Sequence, residues 1–233
     1  MSTVALVGGD GSGKTTIAKN LEISSPFSIK YLYMGASILS SDKTLPTSRL
    51  ALYLKLRGMN KKTETSGEPL SESVSSHDFH YTPATRGAIW ITLRMINRIA
   101  EASYRFFISL WYQMGGFMVI YDRHFLFEAT PSSISKIRTY AQLLNYFEYI
   151  FFKYFYPKPN LVVFLDAPPD ILYKRKGEAD IDLLKKNRER IIKIGNTIKN
   201  FFRVDATQPL EKVLADVTRI IDKSHISKHS KNN

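Results

Sequence analysis

Gly8 is followed by four residues and then by Gly13, Lys14 and Thr15. That spacing, G-x-x-x-x-G-K-[ST], is the pattern of a loop that cradles phosphate. Glycines there let successive backbone N–H groups turn inward around anionic oxygens. Lys14 supplies a mobile ammonium for β- and γ-phosphates, and the Thr15 hydroxyl can ligate Mg²⁺. Gly8, Asp10, Gly11, Ser12, Gly13, Lys14, Thr15 and Thr16 are therefore the candidate phosphate-binding residues. A ligand-free glycine turn is the alternative, but the strand-like TVALV before the loop and the helical TTIAKNLEI after it favour the cradle.

Two further groups carry charge in useful places. YDRH (121–124) ends an apolar run and puts Asp122 beside Arg123. Such a pair can organise Mg²⁺-bound water and clamp a phosphoryl group, or serve only as a structural ion pair. LDAPPDILYKRKGEADID (165–182) starts a helix at its prolines and runs it into Lys174, Arg175 and Lys176. A cationic flap of this kind can close over developing phosphoryl charge; a solvated basic helix end is the plainer reading. His77 and His80 lie close together in HDFH, but no third ligand is near, so no metal site is expected there.

These residues need a scaffold. Strands are expected at about 3–8, 29–34, 117–121, 160–165 and 201–204. Helical patterns fall at about 14–23, 47–57, 86–114, 133–155, 168–176, 180–200 and 209–223. The alternation predicts an α/β fold with a parallel sheet. MVIYD and LVVFLD are nearly continuous apolar runs, as strands covered on both faces require, and each ends in an acid. Ligands of such sheets bind at the carboxyl ends of the strands, which puts Asp122 and Asp166 on the edge that carries the glycine loop. Residues 58–85 are polar and poor in aliphatics, and read as a loop or insert.

Composition narrows the classes. The chain has 233 residues, 44% of them hydrophobic, enough for one substantial core. The absence of cysteine excludes disulfides and thiolate metal sites and, with no signal peptide at the start, leads us to expect a cytoplasmic protein. The aromatic run at 143–156 is too short to span a bilayer and is interrupted by Glu148 and Lys153, so membrane insertion is not expected. The net charge of +12 suits phosphorylated ligands, nucleic acid or anionic lipid, but no nucleic-acid motif accompanies it. The end of the chain, 224–233, reads as a basic, disordered tail.

Taken together, GGDGSGKTT, YDRH, LVVFLDAPPDILYKRKGEAD and VDATQPLEKVLADV resemble the thymidylate kinase family of nucleoside-monophosphate kinases. The resemblance implies a P-loop three-layer sandwich: a five-stranded parallel sheet, helices on both faces, and a short lid at 168–180. Residues 1–223 would form a single kinase domain. It implies ATP as donor, Mg²⁺, a nucleoside monophosphate such as dTMP as acceptor, and a homodimer. Carried over by position, Lys14 and Thr15 would hold phosphate and metal, and Asp122 would orient metal or acceptor. Arg123 would clamp the transferred group, Asp10 would face the acceptor sugar, and Arg175 with Lys174 or Lys176 would be the lid cation. Lys14, Asp122, Arg123 and Arg175 are thus the expected catalytic set.

The chain also departs from the family. YLYMGASILSS stands where R-E-P-G-G-T is usual, and the lid is shorter. Arg94 and Arg98, one turn apart, are candidates for the acceptor phosphate, or surface arginines pairing with Glu101. A different small acceptor, a nucleotide-binding module without turnover, and a kinase of nucleic-acid 5′ ends stay open in that order.

Overall fold

The computed structural model describes residues 2–35, 43–50, 53, 87–128, 138–156, 158–177 and 180–229. The expected insert at 58–85, with His77 and His80, lies outside them, as do residues 178–179 of the expected lid. Most of the expected helix 47–57 does too; of its described residues, 47–50 and 53 are helical.

The chain divides into two compact units. One comprises Met1–Gly35, Ile108–Ala129 and Phe155–Asn233; the other comprises Ala36–Phe107 and Thr130–Tyr154.

The first unit is built on five strands: β1 (Thr3–Val7), β2 (Ile29–Tyr33), β3 (Met118–Asp122), β4 (Leu161–Asp166) and β5 (Phe201–Asp205). Their order is β2-β3-β1-β4-β5 and every pairing is parallel. This is the five-stranded α/β three-layer arrangement that the sequence leads one to expect. β1, β3 and β4 are buried along their whole length, which is why their sequences do not alternate. On one side, Val4, Leu6, Ile120 and Val163 pack with Ile17, Ala18 and Leu21 of α1 (Lys14–Ser24). Val213, Val217 and Ile221 of α7 (Leu210–His229) complete that layer. On the other, Phe164 and Phe127 both stack on Phe201, with ring centroids 6.0 and 6.4 Å apart. Strand order reverses at β1, so the loop that follows it lies where such sheets leave a crevice.

The remaining helices are α2 (Ala88–Met114), α3 (Phe125–Glu128), α4 (Tyr140–Phe155), α5 (Pro169–Lys176) and α6 (Ile181–Gly195). Among the described residues no helix is long and apolar enough to cross a membrane.

Two boundaries differ from expectation, at the ends of α6 and α7. α4 begins at Tyr140, where Thr139 and Gln142 form a capping box: Gln142 N–H donates to Thr139 Oγ1, and Thr139 N–H to Gln142 Oε1; residues 133–137 of the helix expected here lie outside the described residues. α6 stops at Gly195, not near 200; Gly195 lies against the Phe201 ring, and the chain must turn there to enter β5. α7 continues through residues 224–229, which read as tail, since KSHISKH contains neither Pro nor Gly to stop it. The short helix α3 is absent from the sequence reading.

In the second unit, buried Glu101 accepts from Leu45 N–H (3.0 Å) and lies 3.7 Å from Arg105. Arg98 pairs with buried Glu148 at 2.9 Å, not with Glu101. Ser48 Oγ donates to Asn97 Oδ1 at 3.2 Å, and Asn97 Nδ2 donates to Ser48 Oγ at 3.1 Å.

Candidate functional site

The loop between β1 and α1 has the backbone its glycines announce. Gly11 and Gly13 sit at φ 84° and 85°, in the left-handed region that side chains avoid. Gly13 stands at the N-cap of α1 without a side-chain cap, so the helix begins at Lys14 with its first-turn N–H groups and positive end beside the loop. Lys14 is buried, and its ammonium curls back to donate to the Gly8 and Gly9 carbonyls at 3.0 and 2.8 Å. Those bonds hold the charge inside the ring of backbone it would share with a phosphate.

Thr15, one residue on, reaches the end of β3. Its hydroxyl donates to Asp122 Oδ2 at 2.5 Å, and Tyr31 of β2 donates to the same oxygen at 3.2 Å. Asp122 is fully buried, and its other oxygen, Oδ1, has no hydrogen-bond partner among the described residues. A buried carboxylate oxygen without a partner costs free energy unless a cation or its water fills the role. Because Thr15 spends its proton on Asp122, its lone pairs stay available to a cation. One hydroxyl, one carboxylate and the oxygens of a bound phosphate are the donor set Mg²⁺ prefers, so these residues fit that ion. No group of three His, Cys, Asp or Glu side chains among the described residues could hold a metal unaided.

Arg123 follows directly. It is the one non-glycine residue with positive φ among the described residues, at 71°, a conformation costing about 1 kcal/mol or more. The turn lets its backbone N–H bond Leu6 O at 3.2 Å while its guanidinium reaches Asp10 Oδ1 at 2.5 Å. Asp10 also lies 3.9 Å from the Lys14 ammonium. Burial raises the Asp10 pKa, but the charges of Arg123, Lys14 and Lys176 outweigh it and hold the carboxyl below its ordinary value. His124 is buried between Tyr121 and Tyr156, with ring centroids 5.9 and 5.5 Å away.

The basic end of α5 rests on the loop: a Cβ at Gly11 would lie 3.6 Å from Arg175 Cβ and 3.7 Å from Lys176 Cβ. Arg175 donates to Ala206 O at 2.9 Å, in the turn after β5. Lys174 is exposed. Loop, Asp122, Arg123 and α5 thus converge at one edge of the sheet. Arg94 and Arg98 belong to the other unit, where Arg94 lies over the Trp90 ring and Arg98 pairs with Glu148.

Sequence reasoning missed two features. Tyr31 gave no signal beyond being an aromatic in a strand. Asp166 was placed at the right edge but without partners: Arg188 of α6 grips it through two bonds, 2.7 and 2.9 Å, and Arg203 of β5 adds one at 2.5 Å. Burial raises its pKa, yet those hydrogen bonds and charges lower it on balance. The spacing from 166 to 188 and 203 holds no local pattern that could have exposed this.

No protein-family model matches the chain. Over 67 residues it is 37% identical to a probable thymidylate kinase of Methanosphaera stadtmanae, covering 27% of this chain and 34% of that protein. Over 72 residues it is 31% identical to a thymidylate kinase of Thermosipho melanesiensis, covering 28% of this chain and 36% of that protein. The match thus spans about a third of the length of these curated relatives. Across that stretch, the chain is similar to thymidylate kinases.

Proposed function

We propose that this protein is an ATP- and Mg²⁺-dependent phosphotransferase that moves the γ-phosphoryl group of ATP to dTMP or a similar nucleoside monophosphate. The observation that carries the reading is the meeting of the loop at Gly8–Thr15 with Asp122 at the carboxyl edge of the sheet. The partial similarity to thymidylate kinases supports it.

In this reading, backbone N–H groups of residues 11–15 and the Lys14 ammonium bind the β- and γ-phosphates, and Lys14 exchanges its carbonyl partners for phosphate oxygens. Thr15, and Asp122 through water, would hold Mg²⁺, which supplies neutralisation of charge between those phosphates. Arg123 would orient the group in flight, and Arg175, Lys174 and Lys176 would screen it from water. The acceptor oxygen bonds to the γ-phosphorus as the bond to the β–γ bridging oxygen breaks, and ADP leaves. Catalysis is then positioning and charge stabilisation. A homodimer belongs to the same reading, supported by apolar side chains exposed on α2 and α4, such as Leu93, Ile96, Phe107 and Phe147.

A second reading keeps the transfer and changes the acceptor. Tyr31, Tyr33 and Met34 stand where the family's acceptor segment would begin, and Arg123 is engaged by Asp10. A panel of monophosphates and nucleosides in a coupled assay of ADP release separates the two. A strong preference for dTMP selects the first. Lys14→Ala should lower turnover at least about 100-fold; full activity in that variant would end both readings.

A further inference from the structure

We infer that Tyr31 is a positioning residue for the cation, in a role that no family motif assigns to it. The inference rests on the phosphotransferase reading and adds a member to its site. Thr15, Lys19 and Glu22 follow one another at spacings of four and three on α1, so they share one face of the helix. All three address the same two residues across from them. Glu22 Oε1 accepts from Tyr31 N–H at 3.2 Å, the Lys19 ammonium lies 5.9 Å from the Tyr31 ring centre, and Thr15 bonds the carboxylate that Tyr31 also bonds. The tyrosine is therefore held at its backbone, its ring and its hydroxyl.

The consequence falls on Asp122. Both hydroxyl donors go to Oδ2, and Oδ1 is the oxygen left without a partner. A buried carboxylate pinned at one oxygen by two donors cannot rotate freely, so Tyr31 together with Thr15 decides which oxygen remains for a cation's water. Thr15 alone would leave the carboxylate hinged on a single bond. Partners of this kind typically change metal affinity by 10- to 100-fold when removed. Tyr31 lies in YLYMGASILSS, the segment that departs from the family pattern, and this gives that departure a use.

The test is Tyr31→Phe, which removes one oxygen and keeps the ring under Lys19. ADP binding is measured by calorimetry in EDTA and across a Mg²⁺ titration. Metal-free binding should match the wild type, which also verifies the fold, while the Mg²⁺ concentration that half-saturates the metal-dependent gain should rise about 10-fold. Thr15→Val/Tyr31→Phe, compared with each single variant, should show non-additive losses, since both hydroxyls act on one oxygen. An unchanged Mg²⁺ titration in Tyr31→Phe overturns the inference and leaves the proposed function standing. A wild type that binds no ADP with or without Mg²⁺ overturns both.

Discussion

Arg123 and Asp10 are 113 positions apart in the chain, yet the guanidinium of one donates a 2.5 Å hydrogen bond to the carboxylate of the other. The contact joins the end of β3 to the loop after β1 and fixes the two side chains that the proposed function sets beside the transferred group and the acceptor. It also neutralises much of the charge on Arg123, so under the proposed function an anionic group would have to compete with Asp10 for it.

Asp10 should therefore leave an acid signature. Its pKa is lowered in the folded protein, so it adds stability at pH above its ordinary value of 3.8 and loses that contribution as pH falls below it. Asp10→Asn should lower the melting temperature by a constant amount between about pH 5 and 7, with the gap to wild type closing toward pH 3. Melting curves across that range check it. Because the side chain is 40% exposed, solvent screening keeps the effect small.

Glu148 should behave in the opposite sense. Burial raises its pKa above 4.5, and the charges of Arg98 and Arg94 only partly offset that. A carboxyl raised on folding costs stability once pH exceeds its unfolded value, because the unfolded chain ionises more readily. Glu148→Gln should thus melt higher than wild type at pH 7, and the difference should vanish as pH falls toward 4. A variant that melts lower at neutral pH would mean the pairing with Arg98 outweighs burial.

The loop glycines should differ in a defined order. Gly13→Ala meets no atom within 4 Å and suffers only from its positive φ, so about 1–2 kcal/mol of stability should be lost. Gly11→Ala bears the same backbone cost and sets its Cβ 3.2 Å from Leu172 O, so it should lose more. Urea unfolding of both variants measures the order directly.

The guanidinium pair on Asp166 should be unequal to its centre. Asp166 is nearly buried and serves both arginines, so Asp166→Ala leaves two facing cations and should cost about 2–4 kcal/mol. Arg203 is 51% exposed, and Arg203→Ala should cost about 1 kcal/mol or less. Equal losses in chemical denaturation would contradict this ranking.

What the sequence determined by itself was everything written over short distances. The spacing from Gly8 to Thr15 sets a backbone that only glycine tolerates and a helix whose start is at Lys14. The unbroken apolar runs at β3 and β4 demand cover on both faces, and so a parallel sheet. Even the true start of α4 was legible in Thr139 and Gln142, a capping pair three residues apart that a reading by hydrophobic period passes over. The end of α6 was not, since Gly195 stops the helix by packing on Phe201 of the next strand.

The meetings across the sheet edge belong to tertiary structure alone. Tyr31 finds Asp122 because parallel register sets the ends of β2 and β3 side by side, and Thr15 finds Asp122, Arg123 finds Asp10 and Arg188 finds Asp166 because the loop after β1 and the helices α1 and α6 close on the ends of β3 and β4. Register is settled by the whole core packing at once, and a shift of one residue would turn Tyr31, Asp122 and Asp166, the members that stand on strands, to the other face. A local pattern can state which residue types are present at a strand's end; only the closed fold determines which of them touch.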